Sequence, residues 1–118
     1  MTKFLLRQDL DGFSFTLEDS GLILLQSKRY ARRNTCLGGI CSVRKNVEKA
    51  SLESETHPRF SIYAHSPGNY FFRLSASNGQ NVAQSAVYPS KDVCLYAIEH
   101  LKRCISDAII LNEDGSEP

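Results

Sequence analysis

The chain has 118 residues, a formal net charge of +1, 42% hydrophobic residues and 23% charged residues. This composition excludes disordered and collagen-like chains, and the near-neutral charge is unusual for a nucleic-acid-binding domain. The longest apolar runs, residues 22–25 and 108–111, are far shorter than the roughly 20 residues that a membrane helix needs. The first residues show no signal-peptide pattern, so we expect a cytoplasmic protein with no membrane contact.

Three short strands are predicted at the start of each half of the chain. In the clearest of them, Phe13, Phe15 and Leu17 alternate with polar residues, which is typical of a half-buried strand in an antiparallel sheet. The other strands are predicted around residues 4–6, 22–27, 60–62, 70–75 and 81–85. Turn residues separate them, and Asn78-Gly79 favours a tight hairpin because both central residues of such a turn need positive φ.

A helix is predicted after the third strand of each half, over about residues 33–47 and 91–104, because the apolar period changes to 3.6 residues. Ser90 is a favourable N-cap for the second helix. Arg32 stands at the corresponding position of the first, so we expect Asn34 or a neighbour to cap that helix less well. Further strands are predicted at residues 50–53 and 108–111. Residues 54–58 link the halves, and residues 113–118 form an acidic tail that we expect to fray.

The two halves share landmarks, from Phe4 over Phe60 to Ile40 over Ile98, at an offset that begins at 56 residues and settles at 58. They predict two tandem β-β-β-α-β repeats, at about residues 3–53 and 59–112, in one α+β domain that covers residues 1–118. Each repeat alone would leave strand edges unpaired. We therefore expect one antiparallel sheet with two helices on one face, pseudo-twofold symmetry, and a monomer that is an internal pseudo-dimer. Exchange of the last strands would cover further edges.

The motifs in the two halves resemble those of the YegP-like family of small bacterial proteins of unknown function. The second half carries Phe71-Phe72-Arg73-Leu74, Asn78-Gly79, Val82-Ala83, Ser85, Tyr88 and Ser90-Lys91, and the first carries Gly39-Ile40, Ser42-Val43 and Arg44-Lys45-Asn46. The first half departs from the pattern, with Ser20-Gly21 for the Asn-Gly turn and Arg32-Arg33 for the Ser-Lys helix start. The resemblance implies one sheet built from both repeats with swapped C-terminal strands, and it implies no catalytic residues.

No catalytic, cofactor-binding or metal-ligating residue is assigned from the sequence, and no cofactor is expected. His57, His65 and His100 are interpreted as surface side chains, because none has a cysteine or carboxylate at ligand spacing. The cysteines are interpreted as reduced, buried thiols. These are Cys36, Cys41, Cys94 and Cys104. The spacing from Cys36 to Cys41 places the two side chains on different helix faces, which suits neither a disulfide nor a CxxC metal site.

A basic run is the sharpest functional signal. Residues 27–33 carry four positive charges around Tyr30, and a phosphate backbone attracts such clusters while a tyrosine can stack on a base. The candidate polyanion contacts are Lys28, Arg29, Arg32, Arg33, Arg44 and Lys45. The nearly neutral net charge favours a solvated loop instead.

A second candidate surface is the sheet face that the helices leave uncovered, where Phe71, Arg73 and Thr16 are predicted to point outwards. The sequence is therefore best interpreted as a non-catalytic binding or interaction module with an unidentified protein or nucleic-acid partner. One alternative is nucleic-acid or other polyanion binding through residues 28–33. The other is an enzyme with a pocket between the repeats, for which the sequence offers no nucleophile–base pair.

Overall fold

The computed structural model describes residues 1–52 and 55–117. These residues form eight strands and two α-helices. The strands are β1 (Thr2–Asp9), β2 (Gly12–Asp19), β3 (Leu22–Ser27), β4 (Ser51–Leu52), β5 (Arg59–Ser66), β6 (Asn69–Ser75), β7 (Asn81–Gln84) and β8 (Ile109–Asn112). The helices are α1 (Arg33–Lys49) and α2 (Lys91–Cys104), and a 3-10 turn over Ile105–Asp107 leads from α2 into β8. The sequence patterns therefore predicted both helices and the strands around them, although Glu53 of the predicted strand at 50–53 lies outside the described residues.

All eight described strands belong to one sheet, in the order β4-β5-β6-β7-β3-β2-β1-β8. The outermost pairs are parallel: β8 runs alongside β1 with Ile110 opposite Phe4, and β4 runs alongside β5 with Leu52 opposite Phe60. The sheet is therefore mixed, and the prediction of an antiparallel sheet is wrong at these two pairs. Alternation of apolar residues predicts a strand but not its direction, which here is set by the helix that carries the chain to the far edge of the sheet.

The core lies between the sheet and the two helices, where residues from both halves form one apolar cluster. Its aromatic centre has the same arrangement in each half. Phe4 meets Phe15 edge-on at 5.9 Å between ring centroids, and Phe60 meets Phe72 edge-on at 5.7 Å. The other large side chains that are fully buried are Leu17, Leu25, Ile40, Val43, Val47, Leu74, Leu101 and Ile105. Among the described residues, no helix combines the length and apolarity that crossing a bilayer requires.

The two helices begin differently. The Ser90 hydroxyl accepts a hydrogen bond from the backbone N–H of Val93 at 3.2 Å, which confirms the predicted N-cap of α2. Arg32 is the N-cap residue of α1, and its side chain makes no capping hydrogen bond. Helix α1 therefore begins without a side-chain cap, in line with the expectation that it is capped less well than α2. Asn34, which we expected to help, is not the N-cap residue.

The cysteines are all free, but their burial differs from the prediction. Cys36 and Cys94 are buried on the inward faces of their helices, as expected. Cys41 is exposed and Cys104 is half-buried, so the interpretation of four buried thiols is wrong for these two. The reason is helix geometry, because residue 41 lies five positions after the buried Cys36 and therefore on another face of α1.

Candidate functional site

The middle of the sheet opens into a groove. Strands β3 and β7 pair through only two positions, Gln26 with Gln84 and Ser27 with Ala83. Beyond these, Leu22 and Ile23 stay paired with β2. The chain after β7 instead follows β6, where the backbone N–H of Ser85 donates to the carbonyl of Phe72 at 2.9 Å. The two segments diverge, and helix α2 packs beside the opening.

We call this opening the β3–α2 groove, a cavity of about 630 Å³. It is lined by Gly21, Leu22, Ile23, Leu24, Ala86, Tyr88, Val93, Tyr96, Ala97 and His100. Most of these side chains are apolar, and several are exposed: Leu22 by 69%, Tyr96 by 70% and Val93 by 39%. Exposed apolar side chains are therefore gathered along this groove. Sequence reasoning missed it, because the outward position of Leu22 depends on the divergence of β3 from the chain after β7.

The corresponding place beside α1 is a recess between that helix and the β6–β7 turn, which we call the α1 recess, and its lining is different. The cavity there has a volume of about 450 Å³ and is lined by Gly38, Cys41, Ser42, Lys45, Asn46, Ala76, Ser77 and Asn78. At the 58-residue offset, Leu22 and Ile23 are replaced by Gln80 and Asn81, and Tyr96 by Gly38. The apolar lining therefore occurs beside α2 and is not repeated at the corresponding place beside α1.

A polar cluster lies at the end of the groove, beneath His100. The imidazole Nε2 of His100 is 2.8 Å from Oδ2 of Asp19, and the Sγ of Cys104 completes a group whose three ligand atoms all lie within 4.8 Å of one another. The hydrogen bond from His100 is the main reason that the pKa of Asp19 is lowered from its usual value. Burial raises the pKa of the Cys104 thiol.

This cluster corrects the interpretation of His100 as a surface side chain without a partner at ligand spacing. His100 and Cys104 are four residues apart, so they share one face of α2, and that spacing was the signal available in the sequence. Asp19 could not have been added from the sequence, because it comes from β2, 81 residues away along the chain.

Three of the predicted basic residues make contacts within the chain. Arg29 pairs with Asp9 at the β1–β2 turn and lowers the pKa of that carboxyl. Arg33 donates to the side-chain carbonyl of Asn112 at 2.9 Å, and Arg44 donates to the backbone carbonyl of Ala108, so both lie against the chain around β8.

The remaining predicted cations lie elsewhere. The ammonium of Lys28 lies 5.4 Å from the centre of the Tyr30 ring. Arg32 is exposed at the start of α1, and Lys45 is exposed beside the α1 recess. The structure therefore distributes the six predicted residues over several places.

On the uncovered sheet face, Phe71 is half-buried and stacks on Tyr63 at 5.4 Å between centroids. The Arg73 guanidinium lies over both rings, at 5.0 and 5.3 Å, and donates to the side-chain carbonyl of Gln84 at 3.0 Å. Phe71 and Arg73 are thus adjacent. Thr16 is only 8% exposed and donates to Glu18, so it is not part of that aromatic patch.

Comparison with known proteins identifies relatives of the same size and of half the size. Residues 66–111 match a family described as a domain of unknown function, DUF1508. A UPF0339 protein of Pseudomonas aeruginosa, PA0329, is 35% identical over 113 residues, which cover 94% of this chain and 96% of the relative. A UPF0339 protein of Methanosarcina acetivorans is 38% identical over 53 residues, which cover 45% of this chain but 91% of the relative.

Solved structures share the fold. The solution structure of YegP from E. coli, described as a protein of unknown function, superposes with a TM-score of 0.78 over 95% of this chain and 92% of that one, at 24% identity. The solution structure of UPF0339 protein SO3888 from Shewanella oneidensis gives the same TM-score over 94% of this chain and 90% of that one, at 21% identity.

Proposed function

The chain belongs to the UPF0339 family of proteins of unknown function, and from that premise we propose that it is a non-catalytic binding module. Its binding surface is the β3–α2 groove, and its ligand is an extended, apolar segment of a partner protein. The observation that carries this proposal is the exposed apolar lining of the groove beside α2, which the corresponding recess beside α1 lacks.

The shape of the groove favours a peptide over a small molecule. Small-molecule sites usually bury most of their ligand, whereas the Leu22 and Tyr96 walls of this groove are themselves largely exposed. In the part of the chain that the structure describes, residues 22–24 have no strand partner on the side facing the groove. Their free backbone groups can pair with an added strand, whose alternate side chains would then cover the apolar lining.

The chemistry beside the groove supports binding without catalysis. The thiol nearest to His100 is that of Cys104, and its burial raises the pKa, so the neutral thiol is favoured over the reactive thiolate. The described cysteines are all free, which fits the reducing cytoplasm that we propose for this protein. We do not favour polyanion binding, because Arg29, Arg33 and Arg44 are held by contacts within the chain.

We also infer that the two halves are tandem copies that exchange their last strands, giving a monomer that resembles a dimer. The pairing of β8 with β1 and of β4 with β5 supports this, since each last strand joins the other half. The stacking of Tyr30 on Phe15 at 6.3 Å recurs as Tyr88 on Phe72 at 6.4 Å. The Methanosarcina acetivorans relative aligns over 91% of its own length but covers only 45% of this chain, which also supports the duplication of one unit.

A peptide selection tests the proposed function. A random peptide library is selected on the purified protein, and the amide resonances that the best peptide shifts are recorded by NMR. We expect peptides with alternating apolar residues and shifts at residues 22–24 and 93–100. Val93→Glu should weaken binding about tenfold or more, because it places a carboxylate against apolar side chains.

Thr35→Glu is the matched control for that variant. Thr35 lies 58 residues before Val93, is exposed in the first turn of α1, and is remote from the groove lining. It should leave the affinity unchanged. Failure to select any apolar peptide, or equal effects of the two variants, would contradict the proposal.

A further inference from the structure

The geometry points to a binding site for a zinc-like divalent ion formed by Asp19, His100 and Cys104. A carboxylate oxygen, an imidazole nitrogen and a thiolate sulfur are the three donor types that zinc takes in proteins. The site shares His100 with the lining of the β3–α2 groove, but it does not depend on the peptide-binding function proposed above.

The spacing of the donors suits a tetrahedral ion. His100 and Cys104 lie one turn apart on α2, the spacing at which two ligands on a helix bind one zinc ion in H-E-x-x-H motifs. The three donor atoms lie within 4.8 Å of one another. With bond lengths of about 2.0–2.3 Å, tetrahedral donors lie roughly 3.3–3.8 Å apart. Small side-chain rotations therefore bring the donors around an ion, with the fourth position left for water or a ligand.

The surroundings of Asp19 hold its carboxylate in place. The Thr2 hydroxyl donates to Oδ1 at 3.1 Å, which leaves Oδ2 facing His100. The Met1 amine also lies 3.5 Å from Oδ1. A hydrogen bond that fixes a ligating carboxylate in this way typically supports metal affinity by a factor of about 10–100. Thr2 is thus a positioning residue for the site.

The other half shows that the fold does not require these donors. His100 and Cys104 correspond to Ser42 and Asn46 at the 58-residue offset, and Asp19, which pairs with Leu22, corresponds to Ala76, which pairs with Gln80. There the Asn46 amide donates to the Ser42 hydroxyl at 3.0 Å, and the Ser77 hydroxyl donates to the Asn46 carbonyl at 3.4 Å. Ordinary hydrogen-bonding side chains therefore fill this position of the fold. Of these two corresponding places, the one beside the apolar groove carries the metal-ligating residue types.

Binding must displace protons. The Cys104 thiol loses its proton to solvent as the sulfur–metal bond forms, and any proton on His100 Nε2 leaves or moves to Nδ1. Burial disfavours the free thiolate, whereas an ion of charge +2 stabilises it. The affinity should consequently rise with pH.

Cobalt(II) is the probe for this site, because a cobalt–thiolate bond gives a charge-transfer band in the near ultraviolet. Metal-free, reduced protein is titrated without oxygen and with a non-thiol reductant. We expect one equivalent of cobalt per chain, with the band abolished by excess zinc. Cys104→Ser should lose the band, and His100→Gln should weaken binding. Cys41→Ser, which removes the exposed thiol, should keep both band and affinity.

Thr2→Val separates positioning from ligation. It should keep the band but weaken cobalt about 10–100-fold, since the hydroxyl that holds Asp19 is lost. The absence of a band in the wild-type protein at saturating cobalt would overturn the site. So would a band that survives in folded Cys104→Ser protein. The titration of the wild-type protein tests the site by itself, so the outcome does not depend on whether a variant folds.

Discussion

The contact between Gly39 and Tyr30 gives a sharp test of how the first helix packs. A Cβ built on Gly39 would lie 2.6 Å from Cζ of Tyr30 and closer still to its hydroxyl oxygen. The ring cannot easily withdraw, because it stacks on Phe15 and its backbone pairs with Phe13 through two hydrogen bonds of 2.7 and 2.8 Å. Gly39→Ala should therefore overpack this part of the core.

The neighbouring glycine provides the control. A Cβ on Gly38 would meet nothing within 4 Å, and both glycines are inside α1. Each substitution gains about 1 kcal/mol of helix propensity, but only Gly39→Ala incurs an overpacking cost of about 1–3 kcal/mol. Gly38→Ala should raise the free energy of unfolding by about 1 kcal/mol, and Gly39→Ala should leave it unchanged or lower it by up to about 2 kcal/mol.

Urea unfolding and thermal unfolding measure this difference. The two variants should differ by about 1–3 kcal/mol, which corresponds to about 4–12 °C in Tm for a chain of this size. Tyr30→Phe should recover part of the loss in the Gly39→Ala background, because it removes the closest atom. If the two alanine variants were equally stable, Tyr30 would not restrict the helix and the packing argument would be refuted.

Three further outcomes are expected. Ser90→Ala should destabilise the protein by about 1 kcal/mol in urea unfolding, because it removes the N-cap of α2. Arg32→Ser should stabilise the protein by up to about 1 kcal/mol, because it adds the N-cap that α1 lacks. Equal effects of the two variants would contradict the capping difference. A thiol reagent followed by mass spectrometry should label Cys41 in the native state and buried Cys36, whose pKa burial raises to about 11, only on unfolding. The pKa of Asp19 is lowered in the folded protein, so its carboxylate stabilises the fold above the usual pKa of 3.8. This stabilisation is lost as pH falls through the lower folded-state pKa. Urea midpoints measured between pH 6 and 2 should therefore fall less for Asp19→Asn than for the wild type.

Local patterns predicted most of the secondary structure, because they report which side chains face the core. Phe13, Phe15 and Leu17 alternate along β2, and Ser90 caps α2, as their sequence context indicates. Local patterns did not predict the direction in which a strand runs in the sheet. The parallel pairing of β8 with β1 depends on where α2 delivers the chain, and nothing in residues 108–111 encodes that.

The candidate sites were less predictable, because each depends on contacts between distant segments. His100 meets Asp19 across 81 residues of sequence, and the groove depends on β3 and β7 separating after only two paired positions. For the basic run, closeness in sequence did not predict which residues the side chains contact. Arg29 and Arg33 are part of one charged run in the sequence, but each side chain contacts a residue of this chain, Asp9 and Asn112, that the run itself does not contain.

The difference between the halves is the strongest argument for seeking function at the groove. Leu22 is 69% exposed, so its burial contributes little to the core, and the corresponding position in the other half is the polar Gln80. Exposed apolar side chains also promote non-specific association. An apolar lining that folding does not require, and that carries this cost, is what the proposed peptide-binding function would account for. The same reasoning applies to His100, where Ser42 meets the needs of the fold in the other half.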